Sequence, residues 1–234
     1  MKYKILGLIG GIGPESTIDY YKTIIKRFRE KFSANDYPHF LINNIDMTEM
    51  LGYIKENKLN DLTDFLAKQV KKLQDAGADF AALASNTPHL VFDDLQKKSN
   101  IPLISIVEET FKEIKKKNIG KVGLFGTLST MDGGFYQKTG NKYLVDVLIP
   151  DKKSKEYINQ IYFEELVLGI VNESTKKELK NIVFKMKDKD RIEGLILGGT
   201  ELPLILNQKD FPDIKIFNTA EIHVESILEK MLNG

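Results

Sequence analysis

Asp79-Phe80-Ala81-Ala82-Leu83-Ala84-Ser85-Asn86-Thr87-Pro88-His89 is the stretch whose reading decides the fold. A short apolar run stops abruptly at small and hydroxyl residues. A buried parallel strand ends this way: it is apolar while both faces are covered, and polar where its carboxyl end opens into a loop. The pattern recurs as Glu193-Gly194-Leu195-Ile196-Leu197-Gly198-Gly199-Thr200-Glu201-Leu202-Pro203. Two such strand exits imply two polar turns at equivalent places.

Strands and helices alternate outward from these exits. Ile5-Leu6-Gly7-Leu8-Ile9, closed by Gly10-Gly11, reads as a first buried strand. Ser16 to Arg29 has helical spacing, with Ile18, Tyr21, Ile24, Ile25 and Phe28 on one face. Phe40 to Asn44 is a strand, Leu59 to Ala76 an amphipathic helix stopped by Gly77, and Asp79 to Ala84 the third strand. Pro102 to Ile106 is the fourth, followed by a helix from Glu108 to Lys117.

The order then restarts. Lys121 to Gly126 mirrors the first strand and its glycine turn, and Thr127 to Thr130 mirrors the next loop. Tyr143 to Ile149 reads as a strand, Tyr157 to Val171 and Lys176 to Lys187 as helices, and Leu195 to Leu197 and Ile214 to Phe217 as strands. Ala220 to Leu232 is a closing helix. The two glycine turns lie about 116 positions apart and the two polar turns about 114, too long for a solenoid repeat. The expectation is α/β, in two pseudo-duplicated halves, each a four-stranded parallel sheet flanked by helices. The first half takes 1–116 plus 218–234 and the second 117–217, with the active site in the cleft between them.

A chain of 234 residues can bury a substantial core as one large domain or two small ones. Its net charge is only +1, with acidic residues interspersed among the lysines, so neither nucleic acid nor an acidic membrane is expected as a partner. Cysteine is absent, which excludes disulfides, thiolate metal sites and cysteine nucleophiles. The first apolar run is too short for a signal segment or a membrane span, so the expected location is cytoplasmic. No His, Asp and Glu cluster has metal-ligand spacing, and no metal is expected.

Gly10-Gly11-Ile12-Gly13-Pro14-Glu15-Ser16-Thr17 follows a strand and opens a helix. Glycines there let backbone approach a carboxylate or phosphate, while Ser16 or Thr17 alternatively caps the helix. The spacing is not that of a dinucleotide fingerprint. Asn86, Thr87 and Thr200 offer hydrogen bonds for an α-carboxylate. His89 lies one turn beyond Ser85, as a packing residue or as one that orients Ser85 or polarises a substrate. Glu201 is a general base or a helix cap.

These motifs together resemble the aspartate/glutamate racemase family. The resemblance rests on Gly10-Gly11-x-Gly13-Pro14-x-Ser16-Thr17, Asn86-Thr87-Pro88-His89, Gly126-Thr127 with Thr130-Met131, Phe163-Glu164-Glu165-Leu166, and Gly198-x-Thr200-Glu201-Leu202-Pro203. It spans nearly the whole chain and looks most like the bacterial aspartate/glutamate branch. It implies a homodimer that uses no cofactor, pyridoxal phosphate included, and acts on a small amino acid or dicarboxylate. Two thiols on opposite faces of the α-carbon would remove and return its proton. Here Ser85 and Gly199 stand at the thiol positions. By resemblance the catalytic set is Ser85, Gly199, Thr200, Glu201 and His89, and the substrate-binding set is Gly11, Ser16, Asn86, Thr87, Thr127 and Thr130. Val167 stands where archaeal aspartate racemases carry a lysine for the distal carboxylate.

A serine hydroxyl is several pKa units less acidic than a thiol, at about 1.4 kcal/mol per unit, and glycine offers no group at all. Three readings follow: a racemase of weak or altered activity, another carbanion reaction such as decarboxylation or cis–trans isomerisation, and a binding protein without turnover.

Overall fold

The structure, a computed structural model, describes residues 3–32 and 35–232. The extreme ends of the expected first half, 1–2 and 233–234, lie outside them. The chain divides into two compact units. Unit 1 runs to Ile106 and resumes at His223, and unit 2 is Val107–Ile222.

Unit 1 contains β1 (Leu6–Gly10), α1 (Pro14–Lys31), β2 (Phe40–Asn44), α2 (Met47–Lys55), α3 (Leu59–Asp75), β3 (Phe80–Leu83), α4 (Phe92–Lys98) and β4 (Leu103–Ile104). Its sheet has the order β2-β1-β3-β4, with every pairing parallel. Both central strands are buried at every position, which accounts for their unbroken apolar sequence. Helix α5 (Ile106–Lys116) leads into unit 2.

Unit 2 repeats the plan with β5 (Lys121–Phe125), α6 (Leu128–Asp132), α7 (Phe135–Tyr143), β6 (Asp146–Leu148), α8 (Lys152–Glu164), α9 (Glu173–Asp190), β7 (Gly194–Leu197) and β8 (Lys215–Asn218). Its sheet is β6-β5-β7-β8, again all parallel. This is the first order advanced by four strands, as a duplicated α/β architecture requires. Helix α5 packs on α7 here, with Phe111 stacked on Tyr143 at 5.9 Å. The closing helix α10 (Thr219–Leu232) begins in unit 2 and finishes in unit 1, where Met231 O accepts from Lys4 N at 3.0 Å.

Several local expectations are corrected. Tyr143 ends α7 and is not in a strand; Leu144 then turns left-handed, and β6 covers only Asp146–Leu148. The expected helix 157–171 begins earlier, at Lys152, because Asp151 caps it by accepting from Ser154 N at 3.1 Å. It ends at Glu164 and yields to a short 3-10 turn, Leu166–Leu168, before Gly169. Helix α2 has its own cap, Asp46, which accepts from Thr48 N and Glu49 N. On α1 the buried stripe is Ser16, Tyr20, Ile24 and Phe28, whereas Ile18 and Tyr21 are exposed. Tyr20 turns inward because its hydroxyl finds His223 Nδ1 at 2.8 Å, so its polar end is satisfied.

Candidate active site

In unit 1 the site residues gather at the carboxyl ends of β1 and β3, which pair in register. Gly11 adopts φ +80°, and a side chain there would meet Ile45 O and, at 2.8 Å, Asn44 Cγ; only glycine fits. Its N–H is bound internally, donating to Thr17 Oγ1 at 2.9 Å. Neither Ser16 nor Thr17 caps α1, whose first helical residue is Pro14. Thr17 ties the glycine loop to itself. Ser16 donates its hydroxyl to Ala84 O at 2.8 Å, so the start of α1 is stitched to the residue before Ser85.

Ser85, Asn86 and Thr87 are all buried where β3 gives way to a 3-10 turn, Thr87–Val91. His89 is buried beneath them. Its Nε2 accepts from Ile106 N at 3.2 Å, which places the ring proton on Nδ1. That Nδ1 makes no hydrogen bond of good geometry, although the backbone of Ser85 and Asn86 is close by. The ring stacks on Phe92 at 4.9 Å. Burial, and then the neighbouring His223, hold the His89 pKa down at about 3, so the imidazole is neutral. In this arrangement His89 supports the turn from below.

In unit 2 the polar groups lie after β5 and β7, also paired in register. Thr127 caps α6, accepting from Thr130 N at 3.2 Å, and the two threonine hydroxyls are 3.1 Å apart. Asn159 on α8 adds a second tie, accepting from Leu128 N at 2.9 Å. Gly199 lacks the left-handed backbone that would itself demand glycine. What demands it is Tyr162 on α8. A Cβ on Gly199 would collide with Cε2 of that ring and lie 3.1 Å from both its Cζ and its hydroxyl oxygen.

The Tyr162 hydroxyl donates to Glu201 Oε2, and Thr200 Oγ1 donates to the same oxygen at 2.9 Å. Glu201 is 2% exposed, and its side chain makes no cap for the 3-10 turn Leu202–Leu204. Burial, and then the Glu201 charge, push the Tyr162 phenol well above its ordinary pKa. Tyr162 is the residue that sequence reasoning missed. It sits on an apolar helix face and reads as core; the signal available was a glycine at a position expected to carry a side chain. Among the described residues no group of three or more His, Asp or Glu side chains could hold a metal ion.

Two parallel sheets of the same order, each ending in a polar turn, define a duplicated α/β protein. A family model described as Asp/Glu/Hydantoin racemase matches residues 9–227, and the chain belongs to that family. It is 31% identical over 147 residues to a broad specificity amino-acid racemase of Bacillus subtilis, covering 57% of this chain and 59% of that protein. It is 30% identical to a glutamate racemase of Aquifex pyrophilus over 64% of this chain and 57% of that protein. These alignments thus span under two thirds of both curated relatives. Among solved structures, an aspartate racemase homologue from Pyrococcus horikoshii is 41% identical, with 98% of each chain covered and a TM-score of 0.84. An aspartate racemase from Picrophilus torridus, 22% identical, shares the fold at a TM-score of 0.75, over 97% of this chain and 94% of that one.

Proposed function

We propose that this protein is a cofactor-independent amino-acid racemase-type enzyme. It acts on aspartate, glutamate or a related small carboxylate by abstraction of the α-proton. Two-base racemisation is weakened because Ser85 and Gly199 hold the positions of the two thiols. The observation that carries the reading is the matched pair of turns. Ser85-Asn86-Thr87 after β3 and Thr200-Glu201 after β7 put hydroxyl, amide and carboxyl groups at equivalent ends of equivalent strands. Asn86 and Thr87 hold the α-carboxylate of the ligand in this reading. The names of the Bacillus and Pyrococcus relatives support an amino-acid substrate. A cytoplasmic homodimer belongs to the same proposal.

Proton NMR in deuterium oxide tests it. Aspartate, glutamate and other amino acids of both hands are incubated with the protein, and the α-proton signal is followed. Slow loss of that signal for at least one acid is expected. If none exchanges and none raises the melting temperature, the reading is overturned.

The ring over Gly199 favours a second reading, in which the scaffold handles a carbanion from one side only, by decarboxylation or double-bond isomerisation. Release of carbon dioxide, or a change of double-bond geometry, from a carboxylic acid would establish it.

A further inference from the structure

Helix α1 is apolar over a wider arc than it buries. Ser16, Tyr20, Ile24 and Phe28 face the core, whereas Ile18 is 44% and Tyr21 48% exposed, and Ile25 is half-buried. At 3.6 residues per turn, Ile18, Tyr21 and Ile25 form a second stripe beside the buried one. The stripe continues onto the edge of the sheet. Tyr21 packs on Phe40 of β2 with ring centres 5.7 Å apart, and Ile42 on the same side of that edge strand is 40% exposed. All of this surface belongs to unit 1.

The charges of α1 fall into two groups. Toward α10, Arg27 pairs with Glu30 and Glu225, and Lys31 with Glu225. Along the exposed stripe, Glu15, Asp19, Lys22 and Lys26 point to solvent, and no ion pair joins them to any described residue. Glu15 and Asp19 are four residues apart, as are Lys22 and Lys26, so each pair repels across one turn of helix. The acidic pair precedes the basic pair along the axis. Such a flank is its own complement when reversed. A uniformly basic or acidic partner would match only half of it, and an anionic membrane would meet Glu15 and Asp19.

We propose that this face of α1, with the adjoining edge of β2, docks a second copy of the chain, the two α1 helices lying antiparallel about a two-fold axis near Tyr21. The inference gives a surface to the homodimer of the reading above and is independent of its proton chemistry. A two-fold axis brings the same flank of both helices together in reversed direction. Ile18 then lies beside Ile25 of the second copy, and Tyr21 beside its own counterpart. Glu15 comes level with Lys26 of the second copy, and Asp19 with Lys22. Both like-charge repulsions within α1 are thereby answered by opposite charges across the contact. A parallel pairing would instead set each acid against itself.

Sedimentation velocity of the full-length chain over a concentration series tests this. Wild type is expected to dimerise with a dissociation constant on the order of micromolar, weakened by salt. Lys22→Glu with Lys26→Glu makes the flank wholly acidic, and Glu15→Lys with Asp19→Lys makes it wholly basic. Each double variant alone should associate at least about tenfold more weakly than wild type, and an equimolar mixture of the two should dimerise again. Circular dichroism checks that each is folded. Should a charge variant fail to fold, Ile18→Ser with Ile25→Ser removes the exposed stripe without adding charge and should likewise weaken the dimer. Double variants that dimerise as wild type does would place the contact on another face and overturn the proposal. Two monomeric variants whose mixture stays monomeric would overturn the antiparallel pairing. A wild type that is monomeric at every concentration would overturn the docking and the homodimer together, while α-proton exchange would still decide the racemase reading by itself.

Discussion

The turn after β3 and the turn after β7 occupy the same place in two sheets of the same order, yet they are built differently. The first is supported from beneath: a neutral His89 lies under it, and Ser16 ties the preceding strand end to α1. The second is filled from within: Tyr162 stands against Gly199, and Tyr162 and Thr200 both donate to Glu201. Duplication preserves the scaffold because parallel strands and helix packing constrain it along the whole chain. A strand-end turn is constrained by few neighbours, so one aromatic side chain is enough to change what it presents.

The difference should be widest in acid. All three histidines, His39, His89 and His223, lie in unit 1. Burial, and then His223, hold His89 at about 3, and burial holds His223 at about 4. Both folded-state values lie below the ordinary value of 6.5, so between these limits the unfolded chain binds more protons than the folded one. The stability contributed by keeping them neutral is therefore complete above about pH 7 and is lost as pH falls toward 4. At pH 5 each histidine costs about 2 kcal/mol, or about 4 kcal/mol for independent titration. Hydrogen exchange by mass spectrometry should show unit 1 opening first between pH 7 and 5. His89→Gln and His223→Gln should each be less stable at pH 7 yet lose less on acidification. Parallel pH slopes for the variants and wild type would break this part of the comparison.

Cysteine scanning sharpens it next. Ser85→Cys changes one atom of a small buried side chain, and a change under about 0.5 kcal/mol is expected. Gly199→Cys forces the Tyr162 ring to move and should cost about 1–3 kcal/mol through overpacking. Urea denaturation of the two single variants reads the difference. Equal midpoints would mean that the ring leaves position 199 without penalty.

The sequence made the architecture legible for a physical reason. Strands buried on both faces are continuously apolar, as in Phe80–Leu83 and Gly194–Leu197, and glycine turns punctuate them. The glycine turn at position 11 reads as a close approach to a ligand, whereas its left-handed backbone and its contacts with Asn44 and Ile45 are what exclude a side chain there. Helix α2 is harder to read, because its signal is a single capping aspartate just after a strand. Tyr143 reads as strand because a tyrosine before Leu144-Val145 mimics strand alternation; the left-handed Leu144 separates helix from strand. In the candidate site, the positions were readable and the hydrogen-bond partners were not. Thr200 and Thr87 look alike as letters. That Glu201 also takes the hydroxyl of Tyr162 depends on a helix about forty residues earlier, a tertiary fact that no local spacing encodes.

That distinction sets the smallest and most discriminating expectation. If the two turns contributed equally to carboxylate binding, Thr87→Ala and Thr200→Ala would weaken it alike. The hydrogen bonds point elsewhere. Thr200 already donates at 2.9 Å to Glu201, so a ligand carboxylate would have to compete with a buried carboxyl for the same proton. Thr87 sits at the first position of a 3-10 turn immediately after Asn86, with no buried carboxyl as its neighbour in sequence. Thr87→Ala should therefore lower affinity for the acid found by exchange by about 1.5 kcal/mol, roughly tenfold. Thr200→Ala should lower affinity by less than about threefold and instead lower folding stability by about 1 kcal/mol, as Glu201 loses a donor. Titration calorimetry and urea denaturation on the same two proteins separate these effects. Equal affinity losses with unchanged stability would show that Thr200 turns to the ligand when one is bound, and that the second turn is less closed than its hydrogen bonds imply.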